Sequence, residues 1–400
     1  MSRRSGRLGR VKPSPTVAVT TRALELQAAG RDVIALAAGE PDFATPPNVR
    51  AAAKAAIDAG HTKYTAVDGI PELKAAIAGK FARDNALDYA PSEITVASGG
   101  KQIIWNAFLA TLDPGHEVIV AAPYWTSYPD MVRLAGADPV IVAAGPRQGF
   151  RISAADLEAA ITPRTRWLVL NSPSNPTGAA YDRGELAALA EVVLRHEHVW
   201  VLSDDIYEHI VHDDFHFATL AEVEPRLRDR TLTMNGVSKA YAMTGWRIGY
   251  AGGPEPLIRA MRTVQSQTTS NPCSISQWAA VEALSGPQDF VADARQAFTR
   301  RRDLVLAALD EVDGMDCPRP RGAFYVYAAI DGLIGRISRR GTRIDCDETF
   351  ATALLDEAEV AVVFGAAFGM SPAIRISYAA ADDVLRAACE RIADFCDGLR

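Results

Sequence analysis

Short, almost uninterrupted apolar runs recur along the first two thirds of this chain, and each ends in a turn. They include residues 93–98 (EITVAS), 117–122 (EVIVAA), 166–171 (RWLVLN) and 199–203 (VWVLS), with helix-like stretches such as 102–112 (QIIWNAFLATL) among them. Apolar strands without polar alternation belong to sheets covered on both faces, and strands that alternate with helices belong to parallel sheets. The pattern predicts an α/β fold with a mostly parallel central sheet flanked by helices. Beyond a long helical stretch at about 287–313, the strand-like runs 323–328, 360–364 and 373–378 lie among helices at 348–358 and 382–395. A second, smaller α+β domain is expected there. The divisions are an N-terminal segment (1–45) packing with the small domain, a large domain (46–290) and a small one (291–400). Ligands of open parallel sheets bind beyond the carboxyl ends of the strands. The runs end there in Gly99-Gly100-Lys101, Tyr124-Trp125, Asn171-Ser172-Pro173 and Asp204-Asp205, which puts the chemistry at that edge.

Composition excludes several alternatives. The 400 residues carry 42 Lys plus Arg against 49 Asp plus Glu, a net charge of −7, and 48% are hydrophobic. Such a chain is globular, and its charge argues against nucleic-acid binding. No run reaches the roughly 18 apolar residues of a membrane helix. Cys273, Cys317, Cys346, Cys389 and Cys396 form no CxxC pair and have no clustered histidines. No metal site and no disulfide framework is expected, and a reducing, cytoplasmic location fits. Arg3, Arg4, Arg7, Arg10 and Lys12 make a basic arm, read as solvated rather than as a targeting leader.

Individual residues leave alternatives open. Lys239 shares the stretch 231–253 with only one other charged side chain, Arg247. Desolvation there would lower its pKa and make it a Schiff-base lysine; on this stretch alone a lysine with a buried stem and a solvated head is the commoner reading. Asp204, after a buried strand, caps a helix or, with Tyr207 three positions on, serves an aromatic cofactor that acts as an electron sink. The turn Gly99-Gly100-Lys101 offers backbone amides to an anion but matches neither GxxxxGK[ST] nor GxGxxG. Residues 171–178 (NSPSNPTG) form a rigid loop that either holds an Asn amide or merely connects elements. Trp125 either stacks on a ring or packs in the core. Arg375 either faces solvent or is a buried fork for a carboxylate.

Taken together, the stretches KPSPTVAV, AAGEPDF, TKYTAVDGIPELKAAI, ASGGKQ, APYWTSYPDM, NSPSNPTG, LSDDIYEH, NGVSKAYAMTGWRIGY and AIRISYA resemble, in order, the fold-type I class I/II aminotransferases around the bacterial aspartate aminotransferases. The resemblance runs from about Lys12 to the C-terminal helix. It implies the pyridoxal 5′-phosphate (PLP)-dependent transferase fold type I and a homodimer exchanging amino groups between amino acids and 2-oxo acids. It implies that Lys239 bonds the cofactor covalently and moves the substrate proton. Asp204 would meet the pyridine nitrogen, Tyr207 and Asn175 the phenolic oxygen, and Trp125 the ring face. Gly99, Gly100, Lys101 and Arg247 would surround the phosphate, with Tyr64 reaching the neighbouring subunit's phosphate. On the substrate side, Arg375 would grip the α-carboxylate and Gly39 would line the site along with Trp125 and Asn175.

Substrate choice follows from Lys101, which in the branch this chain resembles sits near the substrate's distal carboxylate, with Ser14 and Thr16 nearby. Aspartate or glutamate with their oxo acids, and also prephenate, are the substrates the resemblance implies. The alternatives are an aminotransferase for aromatic or other amino acids, or a PLP-dependent C–S lyase; a cofactor-sensing regulator, which would carry a DNA-binding domain ahead of the match, is not expected. Three positions depart from the family pattern: Ser174 for Asn, Phe364 for the proline of a VPG turn, and Asn235-Gly236-Val237 where Ser or Thr often precedes the lysine.

Overall fold

A computed structural model describes residues 5–400. Arg3 and Arg4 of the basic arm lie outside the described residues. Arg10 of that arm pairs with Asp138 at 2.9 Å.

After an initial strand, β1 (Ile34–Ala35), one sheet gathers seven strands: β2 (Ile94–Ala97), β3 (Glu117–Ala122), β4 (Asp138–Ala143), β5 (Thr165–Asn171), β6 (Trp200–Asp204), β7 (Thr231–Gly236) and β8 (Gly249–Gly252). Their spatial order is β2-β8-β7-β6-β5-β3-β4. Only β8 runs antiparallel to its neighbours; the other pairs are parallel. Strands β2 and β7 are buried at every position, and β3, β5 and β6 at most of theirs, whereas the edge strand β4 has only exposed and half-buried residues. Parallel neighbours need long crossovers; the helix Arg183–Arg195 supplies one, opened by a reciprocal Asp182–Glu185 cap. Apolar packing on the two faces of this sheet, around Phe108 and Trp167 on one and Leu168 and Leu189 on the other, makes it the central layer.

The remaining strands are β9 (Tyr325–Ala329), β10 (Val360–Ala361), β11 (Val363–Phe364) and β12 (Ala373–Ser377). A three-stranded antiparallel sheet has the order β11-β12-β9. Its core holds Phe298, Phe324, Phe350 and Tyr378. The run 360–364, which periodicity predicts as one strand, divides at Val362. Its first half pairs in parallel with β1 and its second half with β12. A continuous apolar run says that both halves are buried but not which sheet each one joins. No helix among the described residues is long and apolar enough to cross a membrane.

Candidate active site

The cavity lies where β5 and β6 end, at the carboxyl edge of the large sheet, and is closed from the other side by β9 and β12. Its volume is about 380 Å³. In-register pairing sets Asn171 beside Asp204 at the last rung of β5 and β6. The Asn171 amide donates to the Asp204 carbonyl (3.0 Å), and its oxygen accepts from the Asn175 backbone N–H (2.9 Å), so this loop is fixed to the floor. The Asp204 carboxylate is buried and accepts from the Tyr128 hydroxyl and the Ile206 amide. Burial pushes its pKa up to about 6, against the pull of those two donors and of Lys239. The carboxylate is therefore mostly ionised at neutral pH and ready to meet a cation. Asp205 belongs to a different environment, against Ser203, and burial raises it to about 8.

Lys239 follows β7 and enters the cavity from the side, its Nζ donating to the Gly39 carbonyl at 2.6 Å. Burial lowers its pKa to about 8; Glu40 opposes this, while Arg375 and Arg247 add to it. A substantial neutral fraction near physiological pH gives the amine nucleophilic character. Arg247 adopts a left-handed backbone (φ 55°), and its guanidinium donates to the Thr244 carbonyl at 2.9 Å rather than to an acid. It lies against Gly99: a Cβ there would stand 2.3 Å from Nη2, and the φ of 90° independently favours glycine. Gly100 opens the helix Gly100–Thr111, whose first amides face the same space as Arg247, Ser238 and Thr244. Free amides at a helix N-terminus beside an arginine with no acidic partner suit a bound anion.

Arg375 on β12 is almost wholly buried. Nη1 donates to Asn175 Oδ1 at 2.8 Å and Nη2 to the Ala37 carbonyl, while Nε has no partner among the described residues. Burial lowers its pKa, yet no carboxylate neutralises it. An arginine buried without an acid among the described residues, and with a free N–H, suits a carboxylate brought by a ligand. Tyr207 is buried beside it, its hydroxyl 2.8 Å from that of Tyr325. Trp125 forms one wall, edge-to-face with Tyr128 (5.2 Å, 86°). Lys101 sits exposed at the rim with Nζ 4.8 Å from the centre of the Trp125 ring; partial desolvation and then Arg247 lower its pKa.

Most of the residues expected from the sequence thus line one cavity: Gly39, Gly100, Lys101, Trp125, Asn175, Asp204, Tyr207, Lys239, Arg247 and Arg375, with Thr16 at its edge. Gly99 supports it from behind through Arg247. Ser14 stands outside the lining, at the cap position of the helix Pro15–Ala28. Tyr64 is 92% exposed and does not enter its own chain's cavity. Asn235 turns away onto Glu208 (2.8 Å), which pairs with buried Lys80. Ser238, one residue before the lysine, lines the cavity instead. Phe364 borders a different groove, beside Pro15 and Val19. Ser238, Tyr128, Tyr325 and Glu40 also line the cavity, beyond the residues expected from the sequence. Only Ser238 carried a signal, its place next to Lys239; the two tyrosines look like core aromatics.

A buried lysine with a lowered pKa, a glycine-opened helix start, a buried acid and a buried arginine line one cavity, a set suited to carboxylate chemistry. Residues 31–392 match the family described as aminotransferase class I and II, and the chain belongs to that family. It is 67% identical to the aspartate/prephenate aminotransferase of Cereibacter sphaeroides, covering 99% of each chain. The solved aspartate aminotransferase of Rhizobium meliloti superposes with a TM-score of 0.97 at 55% identity over 100% of both chains. That of Thermus thermophilus with maleate gives 0.92 at 46% identity, covering 99% of this chain and 100% of the other. The architecture is fold type I, and the chain is an aminotransferase; its family implies PLP.

Proposed function

We propose that this enzyme binds PLP at Lys239 and exchanges amino groups between dicarboxylic substrates, aspartate or glutamate on one side and oxaloacetate, 2-oxoglutarate or prephenate on the other. The observation that carries the reading is Arg375: buried, without an acid, with Nε unpartnered, in the cavity that Lys239 enters. The names of the Cereibacter relative and of the maleate-bound Thermus structure support the dicarboxylate preference.

The donor set fits the cofactor group by group. The Gly99-Gly100 turn, Ser238 and Arg247 would hold its phosphate. Ionised Asp204 would keep its ring nitrogen protonated, Tyr207 and the Asn175 amide would meet its phenolic oxygen, and Trp125 would cover a ring face. When bound, the cofactor supplies a carbonyl for the lysine amine and a ring that withdraws electrons from the substrate's Cα. Arg375 orients the α-carboxylate by two parallel hydrogen bonds, which aims the Cα–H at Nζ of Lys239. Once the substrate amine had taken its place, the released neutral Nζ would take that proton as general base, a task its lowered pKa suits. Lys101 attracts the second carboxylate as a point charge.

The test is a comparison of amino-group transfer from aspartate and glutamate to oxaloacetate, 2-oxoglutarate and prephenate, with phenylalanine and cystathionine as controls. Transfer from dicarboxylic donors well above both controls is expected. Faster turnover of phenylalanine, or pyruvate release from cystathionine without response to aspartate, refutes the proposal. Exposed Tyr64 supports a homodimer in which it reaches the neighbouring subunit's phosphate, and the five free cysteines support a cytoplasmic location.

A further inference from the structure

We propose that Tyr325 is a positioning residue that joins the two halves of the site, its hydroxyl orienting Tyr207 and its ring seating Arg375. Tyr325 lies on β9, whereas Tyr207 follows β6 of the large sheet. Their hydroxyls are 2.8 Å apart and their rings meet edge-to-face at 5.8 Å and 82°. Tyr325 pairs with Ser377 across the small sheet and is the diagonal neighbour of Arg375 on the same face. The Arg375 guanidinium rests 4.6 Å from the centre of its ring. Both tyrosines are fully buried.

Proton direction decides what the hydroxyl contact does. A phenol has one proton to donate. If Tyr207 is to give its proton to a ligand oxygen in the cavity, its bond to Tyr325 must be one in which Tyr325 donates. Among the described residues, Tyr207 is the only hydrogen-bond partner of the Tyr325 hydroxyl, so nothing competes for that proton. Gly39 makes room for the arrangement: a Cβ there would lie 2.3 Å from the Tyr325 oxygen. The same carbonyl-bearing glycine receives the Lys239 amine. Tyr325 thereby touches the cofactor side through Tyr207, the carboxylate side through Arg375, and the segment behind the reactive lysine.

This inference rests on the proposed PLP and dicarboxylate reading, and the experiment separates the two. Cofactor affinity of the apoenzyme, maleate affinity of the loaded enzyme and thermal melting are measured for wild type, Tyr325→Phe and Tyr325→Leu. Tyr325→Phe keeps the ring and removes the hydroxyl. It should weaken PLP binding about 5- to 10-fold, as loss of one buried hydrogen bond does, and leave maleate affinity within about twofold. Tyr325→Leu should show the same cofactor loss and, in addition, bind maleate about 3- to 10-fold more weakly, because the face under the guanidinium is gone. In a Tyr207→Phe background, Tyr325→Phe should have no further effect on PLP affinity. Additive losses in that background overturn the proposal. So does a Tyr325→Phe protein with wild-type cofactor affinity, or one that loses both affinities in step with its melting temperature. Failure of the wild type itself to bind PLP would instead strike the underlying functional reading.

Discussion

The cavity holds two cations that a dicarboxylic substrate would use, and they are built in opposite ways. Arg375 is buried on a central strand, braced by Asn175 and Ala37, and packed on Tyr325 and Phe368. Lys101 lies exposed at the rim, over Trp125 and with no hydrogen-bonded brace of its own among the described residues. A desolvated fork costs folding energy and returns it only when a carboxylate arrives, so it enforces one geometry. A partly desolvated ammonium at the rim, with no fork geometry, attracts a carboxylate but fixes little. The difference fits the proposed division, with recognition common to all amino acids at the buried end and choice among side chains at the rim.

Substitutions break or sharpen this contrast. The largest effect belongs to neither end: Lys239→Ala removes the base between them and should lower turnover by at least about 10⁴-fold, while PLP still binds non-covalently; single-turnover kinetics and equilibrium dialysis check both. Arg375→Lys keeps the charge but loses the fork, and should cost about 10²- to 10³-fold in kcat/KM for every amino acid tested, aspartate and phenylalanine alike. A loss confined to aspartate would erase the division of labour.

Asp204→Asn probes the floor below both cations through stability. The native pKa of Asp204 is raised to about 6, so the folded state binds its proton more tightly than the unfolded state. Stability from this group is therefore highest below the ordinary carboxylate pKa and falls as pH rises through about 4 to 6. Above that window the buried charge costs roughly 3 kcal/mol at most. Asn removes that cost, so the apoenzyme variant should melt higher than wild type at pH 8, with the gap closing towards pH 4, even as its catalysis fails. The smallest effect is at the rim. Lys101→Ala should raise KM for aspartate about 10-fold, more so at low salt, and barely change that for phenylalanine. Equal losses would mean that Lys101 serves the phosphate or the fold.

Legibility of the molecule from its sequence follows the same line between chemistry and surroundings. Runs such as 117–122 and 166–171 read as buried strands because burial on both faces leaves no polar alternation, and both are central strands of the large sheet. Strands β7 and β8 were noticed only as a stretch poor in charge. Their glycines and the intervening turn give no strand period, and their place in the sheet depends on distant partners. In the site, Lys239 and Arg375 are visible as candidates because a charged group in an apolar stretch invites a reason, and Asp204 gains its meaning only beside them. Tyr128 and Tyr325 are not, since an aromatic in a core segment needs none, and their hydroxyl partners lie 76 and 118 residues away.

By itself the sequence determined the parallel α/β class and the strand edge where the polar groups gather, because those depend on residue type, order and local period; it offered Lys239, Asp204 and Arg375 as candidates, and their roles came with the family resemblance. Tertiary structure alone decided that residues 360–364 serve two different pairings, that Asn235 turns from the cavity while Ser238 lines it, and that Arg375 is left with an unpaired N–H. Each of these outcomes rests on which remote groups satisfy a buried polar atom, and that is set by packing in three dimensions rather than by spacing along the chain.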